Sequence, residues 1–175
     1  MITAFKGEHA FLSNFYEAPF QLAGGDTPPS HWWNTAEHAF QAYKAADVFA
    51  FTEIRNALTP WAAKQAGRKV RPIRGDWDFI KREHMLRVLL SKFQLPELRQ
   101  QLIATGTEVL VEGNTWNDVY WGAVPAPLTV SFKRGPGYPL SGELPVWEAG
   151  VRASEWLIGC NWLGRLLMTV REVIA

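Results

Sequence analysis

The chain has 175 residues, a formal net charge of +1 and an isoelectric point near 7.9. That length allows one domain that buries roughly two-thirds of its unfolded surface without metal or disulfide staples, and the balance of charge excludes a polyanion-binding surface over the whole molecule while leaving room for a local basic patch. One cysteine, Cys160, excludes an internal disulfide and fits a reducing compartment, while nine Trp beside ten Phe and four Tyr supply core and flat floors for a base or sugar.

The opening MITAFKGEHAFLSNF has no charged segment followed by an apolar run, and no stretch approaches the ~18 apolar residues of a membrane span; a cytoplasmic, non-membrane protein is expected. Apolar runs broken by Gly7 and Pro19 suit strands or extended chain, and AGGDTPPS is a turn-rich connection. TAEHAFQAYK, residues 35 to 44, reads as a helix with Asn34 or Thr35 as N-cap. In TPWAAKQAG, Thr59 caps a short helix, Pro60 takes its first position and Gly67 falls just past its end. After the basic link RKVRPIRG, Asp76 can cap a longer helix in which Trp77, Ile80, Met85, Val88 and Leu89 recur at near-helical spacing.

Pro96 opens a further helix ended by Gly106, and TEVLVEG alternates as a strand, Val109 and Val111 on one face and Leu110 between glutamates on the other. From Pro125 to Pro145 the chain is rich in Pro and Gly and long for a loop, as functional lids and surface insertions are. The last helix starts at Asn161 and carries an apolar stripe of Leu163, Leu166, Leu167, Val170 and Ile174. The expected fold is α+β and predominantly helical, one domain over 1–175 with a few short strands and a Pro/Gly-rich insertion at about 123–158.

Glu37, Gln41 and Lys44 fall at i, i+4 and i+7 of the first helix, one above another over two turns. The ordinary readings are a capping box for Glu37 in NTAE, a local hydrogen bond for Gln41 and a solvated Lys44. Ala36, Ala39, Phe40, Ala42, Tyr43, Ala45 and Ala46 leave little room for a broad solvated face, so the stripe reads better as a cleft wall, where a desolvated carboxylate and a lysine tune each other for acid, base or nucleophile work. In EGNTWNDVYWG, Trp116, Asn117, Asp118 and Trp121 interleave acceptors with indoles, which suits a ribose or base as well as it suits turn and core chemistry. Asn161 and Arg165 fit either a cap with an exposed arginine or a phosphate site at a helix N-terminus. Lys64, Arg68, Lys69, Arg71 and Arg74 gather positive charge, a solvated face or a dock for phosphate or nucleic acid.

FLSNFY, TAEHAFQAYK, TPWAAKQAGRKVRPIRGDWD, KF, LIATG, LVEGNTWNDVYWG and NWLGRLLMTVR occur in order from about Phe5 to Arg171, and together they resemble the NADAR superfamily, also called the YbiA-like proteins. The resemblance implies a mostly helical α+β fold and N-glycosidase chemistry on one of two substrate types: ribosylaminouracil phosphates, reactive early intermediates of riboflavin synthesis, or ADP-ribose attached to a guanine base. It places the family's acidic residue on Glu37, its lysine on Lys44, a tryptophan on Trp77 and the WND..WG cluster on Trp116, Asn117, Asp118 and Trp121, with Asn14 and Arg165 at the pocket edge. The stretch from Ala123 to Ile158 is longer than in many relatives and leaves substrate specificity open.

The catalytic set expected is Glu37, Lys44 and Asp118; Asn14, Gln41, Arg68, Trp77, Trp116, Asn117, Trp121, Asn161 and Arg165 are expected to bind a small ribosyl or ADP-ribosyl substrate, free or carried on nucleic acid. Lys44 either sets the ionisation of Glu37 or attacks the ring-opened sugar as an amine. No cofactor is expected, and His9, His31, His38 and His84 are too scattered to suggest a zinc site with Cys160. Two rival functions remain from the sequence: a module that holds ADP-ribose or a nucleotide without cleaving it, and a nucleic-acid-binding protein using Arg68 to Arg74.

Overall fold

The computed structural model of the chain describes residues 1–22, 31–125 and 157–175. Helices dominate. A 3-10 helix, Gly7–Leu12, is followed by a hairpin in which β1 (Phe20–Gln21) pairs antiparallel with β2 (Trp32–Trp33), Phe20 opposite Trp33. Then come α1 (Ala36–Ala42), α2 (Val48–Arg55), α3 (Pro60–Lys69), α4 (Trp77–Lys92) and α5 (Pro96–Ala104). A second antiparallel pair, β3 (Val124–Pro125) with β4 (Leu157–Ile158), leads into α6 (Trp162–Ile174). The Pro/Gly-rich stretch, and with it the choice between lid and insertion, falls mostly outside the described residues. Among them, no helix is long and apolar enough to cross a membrane.

Two apolar clusters meet at α1. One packs α4 and α6 through Met85, Leu89, Leu163, Leu167 and Val170, with Leu12 and Leu110 beneath; the other packs Phe20, Trp33, Ile54, Ala63 and Val88 around Ala36, Ala39 and Ala42. Phe40 belongs to the first cluster and the alanines to the second, so all seven residues of α1 are buried. Truncating a fully buried Leu such as Leu167 to Ala in this setting costs about 2–5 kcal/mol.

Several local expectations are revised. The opening segment is not extended throughout: Gly7, in the left-handed region, starts the 3-10 turn that buries Phe11 and Leu12. Thr35, not Asn34, caps α1 by accepting from the His38 amide at 3.3 Å, and the Glu37 amide donates to the Asn14 carbonyl at 2.9 Å, so NTAE forms no capping box. The helix also stops at Ala42. Lys44 lies in the turn beyond it, where its carbonyl accepts from the Arg74 amide at 3.0 Å and Ala45 bridges Ile73.

Gly67 does not end α3, which runs on to Lys69; it sits where α3 crosses α1 at Gln41. Asp76 occupies the N-cap position of α4 without a capping bond, because its carboxylate is paired with Arg74. TEVLVEG is not a strand of a sheet: Leu110 makes an isolated parallel bridge to Ile2 and Gly113 another to Ala123, and both Leu110 and Val111 are buried.

Candidate active site

Asn14, Glu37, Gln41, Lys44, Arg68, Asp118 and Trp121, seven of the expected site residues, line one small cavity of about 180 Å³. The wall is completed by Ser13, Phe15, Phe40, Lys64, Met85 and Glu112. Its geometry follows from the crossing of α1 and α3 and from two loops. Gln41 bridges the crossing, its amide donating to Glu37 Oε1 at 2.6 Å. A side chain at Gly67 would meet Gln41 head-on, so only glycine lets α3 bring Lys64 and Arg68 this close to Glu37.

The loop carrying Asp118 is organised by Asn114. Its Oδ1 accepts from the amides of Trp116 and Asp118, at 3.2 and 3.0 Å, while its Nδ2 donates to the Asp118 and Ala123 carbonyls. Asn117 adopts a left-handed φ of 62°, and Asp118 Oδ1 then accepts from the Trp121 amide at 2.9 Å and the Tyr120 amide at 3.2 Å. Behind the cavity lining, Lys92 is wholly buried and donates to the carbonyls of Phe11 and Ser13 at 2.7 and 2.8 Å. That fixes the turn presenting Ser13, Asn14 and Phe15.

Electrostatics in the cavity are set by dehydration. Burial is the main force raising the Glu37 carboxyl above its ordinary range; Lys64, the Gln41 bond and Lys44 pull it back, and Asp118 pushes it further up. Burial also lowers the Lys44 ammonium to about 8, against the stabilising pull of Glu37 and with help from Arg68, Lys64 and Lys81. Lys44 Nζ lies over the rings of Phe40 and Trp77, 5.5 and 5.8 Å from their centroids. Glu112 is driven up to about 8, by burial first and then by the neighbouring Asp118 and Glu37. Asn14 Oδ1 and Gln41 Oε1 are buried acceptors without a hydrogen-bond partner. Both oxygens are packed away from solvent, Gln41 Oε1 against α3 at Gly67.

The NADAR domain profile matches residues 4–175. The chain belongs to the NADAR family. It is 38% identical over 117 residues to the N-glycosidase YbiA of Escherichia coli, covering 66% of this chain and 69% of that protein. A riboflavin biosynthesis protein of Vibrio vulnificus is 30% identical over 166 residues, covering 94% of this chain and 35% of the relative. The NMR structure of Escherichia coli YbiA superimposes with a TM-score of 0.67 at 32% identity, covering 99% of this chain and 84% of that one.

The remaining residues expected in this NADAR site take other positions. Trp77 is buried against Phe40, ring centroids 5.0 Å apart, and backs Lys44 instead of lining the cavity. Trp116 lines an adjoining cavity of about 560 Å³ with Phe5, Phe15, Trp61, Lys64, Arg68 and Glu112. Asn117 shapes its loop. Asn161 is the left-handed N-cap of α6, but its side chain clasps the neighbouring segment, donating to the Leu110 carbonyl at 2.9 Å and accepting from the Glu112 amide at 3.0 Å. Arg165 places its guanidinium 4.3 Å from the Trp162 ring centroid and lines neither cavity.

The basic run divides as well. Arg68 enters the cavity, Arg71 donates to the Arg68 and Val70 carbonyls, and Arg74 pairs with Asp76. Sequence reading missed Glu112, Lys64 as a cavity residue, and Phe15. Glu112 stood inside a quoted motif, but the strand pattern only put it with Leu110 on the face opposite Val109 and Val111.

Proposed function

We propose that this chain, an N-glycosidase of the NADAR family, hydrolyses the ribosyl C–N bond of a ribosylaminouracil phosphate of the riboflavin route. The observation that carries the reading is the convergence of Glu37, Lys44 and Asp118 on one dehydrated cavity. Breaking the bond builds positive charge on the sugar. Desolvation disfavours the Glu37 anion, while Gln41 and the two lysines favour it; a sugar that turns cationic tips this balance, so Glu37 binds the transition state better than the ground state. Asp118, with one oxygen held by backbone amides, offers the other to a ribose hydroxyl or to water. Lys64 and Arg68 receive the phosphate. Lys44, lowered to about 8, has an appreciable unprotonated fraction near neutrality and is the amine that adds to the sugar carbon.

The name of the Vibrio vulnificus relative supports the riboflavin-type substrate. Removal of ADP-ribose from guanine, free or within nucleic acid, is the second reading, supported by the space and aromatic lining of the adjoining cavity. Incubating wild type and Glu37→Ala with both substrates, with chromatographic detection of the released base, separates these. Release from the aminouracil substrate by wild type only is expected. Release from ADP-ribosylated guanosine alone would favour the second reading, and tight binding without release would make the protein a nucleotide-holding module.

A further inference from the structure

The two cavities share a wall: Ser13, Phe15, Lys64, Arg68 and Glu112 line both. The inner one is rich in carboxylates and amides, whereas the outer one presents Phe5, Phe15, Trp61 and Trp116, the two indoles being 58% and 54% exposed. A ribosyl base has a matching division, with hydroxyls and developing charge on one side of the scissile bond and a flat aromatic ring on the other.

Glu112 is the only carboxylate among the described residues on the shared wall. Its backbone is fixed at both ends, the amide donating to Asn161 Oδ1 at 3.0 Å and the carbonyl accepting from the Ala123 amide at 2.9 Å. Its carboxyl group engages no hydrogen-bond partner among the described residues. We propose that Glu112 is the acid that protonates the departing nitrogen, the ribosyl group occupying the inner cavity, the base lying against Trp61 and Trp116, and the bond between them crossing at Glu112; this rests on the glycosidase reading above.

The charged groups around Glu112 support that role. Asp118 and Glu37 oppose its ionisation from the inner side and Lys64 on α3 partly offsets them; Arg68 on α3 lines both cavities, Lys6 lines the outer one, and Lys44 lines the inner one with Glu37. The carboxyl is therefore held largely protonated near pH 7, which a proton donor requires. As the C–N bond breaks, its electron pair stays on nitrogen, which takes the Glu112 proton and leaves as a neutral amine. The incoming nucleophile, water or Lys44 followed by water, adds to the sugar carbon, and the proton it sheds returns to Glu112. The sum is one water added across the bond.

The test is the pH dependence of kcat for wild type, Glu112→Gln and Glu112→Asp with a ribosylaminopyrimidine 5′-phosphate. Wild-type kcat should fall above about pH 8. Glu112→Gln should lose roughly 10²- to 10⁴-fold in kcat and show no such fall, with KM within about threefold, and Glu112→Asp should recover part of the rate with the alkaline fall restored. An alkaline fall that persists in Glu112→Gln belongs to another acid and overturns the assignment, as does a variant altered only in KM. If neither glutamate variant folds, wild type decides: a rate that does not fall between pH 7 and about 9.5 overturns the proposal. Failure of wild type to cleave any ribosyl amine overturns the glycosidase reading itself.

Discussion

Substituting Gly67→Ala sets two effects of opposite sign against each other. In the interior of α3 an alanine is favoured over glycine by about 1 kcal/mol, because less backbone entropy is lost on folding. The added methyl, however, would overlap Gln41 Oε1 and stand 2.9 Å from its Cβ and 3.0 Å from its Cδ. Gln41 is 4% exposed and tied to Glu37, so clearing the methyl means turning its amide toward the cavity and giving up that bond. Overpacking of this kind costs roughly 1–3 kcal/mol, and loss of the 2.6 Å bond to Glu37 costs about 1.5–3 more. The clash wins, and a net loss of about 2–5 kcal/mol is expected, a fall in Tm of roughly 5–15 °C for a chain of this size.

Urea unfolding of wild type, Gly67→Ala, Gln41→Ala and the double variant measures it. Removing the Gln41 amide leaves only the 2.9 Å approach to Cβ, so Gly67→Ala should cost about 1 kcal/mol or less in that background. A Tm raised by Gly67→Ala, or equal costs in both backgrounds, would refute the claim that Gly67 is kept for the α1–α3 approach.

Sodium borohydride added during turnover should trap a sugar on Lys44, read as a mass increment on its peptide, and Lys44→Arg should be inactive; an untrapped enzyme with an active Lys44→Arg would leave Lys44 only as the partner of Glu37. Glu112 titrates near 8 in the folded chain and near its ordinary 4.5 when unfolded, so between those values the unfolded state releases its proton first. Stability should therefore fall as pH rises from about 5 to 8, at up to about 1.4 kcal/mol per unit from this group; that component should vanish in Glu112→Gln, as denaturant midpoints across the range would show. Lys92→Met should leave the Phe11 and Ser13 carbonyls unpaired, at about 1–3 kcal/mol each, and raise KM by displacing Asn14 and Phe15. A variant with unchanged Tm and KM would deny Lys92 that structural role.

Much of the helical architecture was legible in the sequence because local chemistry specifies it. Thr59 and Pro60 start α3, Pro96 starts α5, and the apolar stripe of α6 runs from Leu163 to Ile174 as its spacing requires. The placement of Glu37 and Gln41 on a buried wall was legible too, since a helix of alanines and aromatics has little solvated face to offer a polar stripe. Asp118 and Trp121 stood out in their own segment as ribose or base contacts, and the family resemblance joined them to α1, which spacing could not have done.

Where side chains end up across non-local contacts was decided only by the tertiary structure. Gly67 reads as a helix stop until α1 is seen crossing it at Gln41. Asn161 reads as a phosphate-binding cap until its amide is found clasping Leu110 and Glu112, 51 and 49 residues away. Glu112 reads as a strand residue on the same face as Leu110 until the segment proves to hold only isolated bridges and Glu112 to line both cavities. Periodicity reports which face of an element is apolar; it carries no information about which distant backbone pairs with it. That pairing sets both the burial of a carboxyl and the charges it meets.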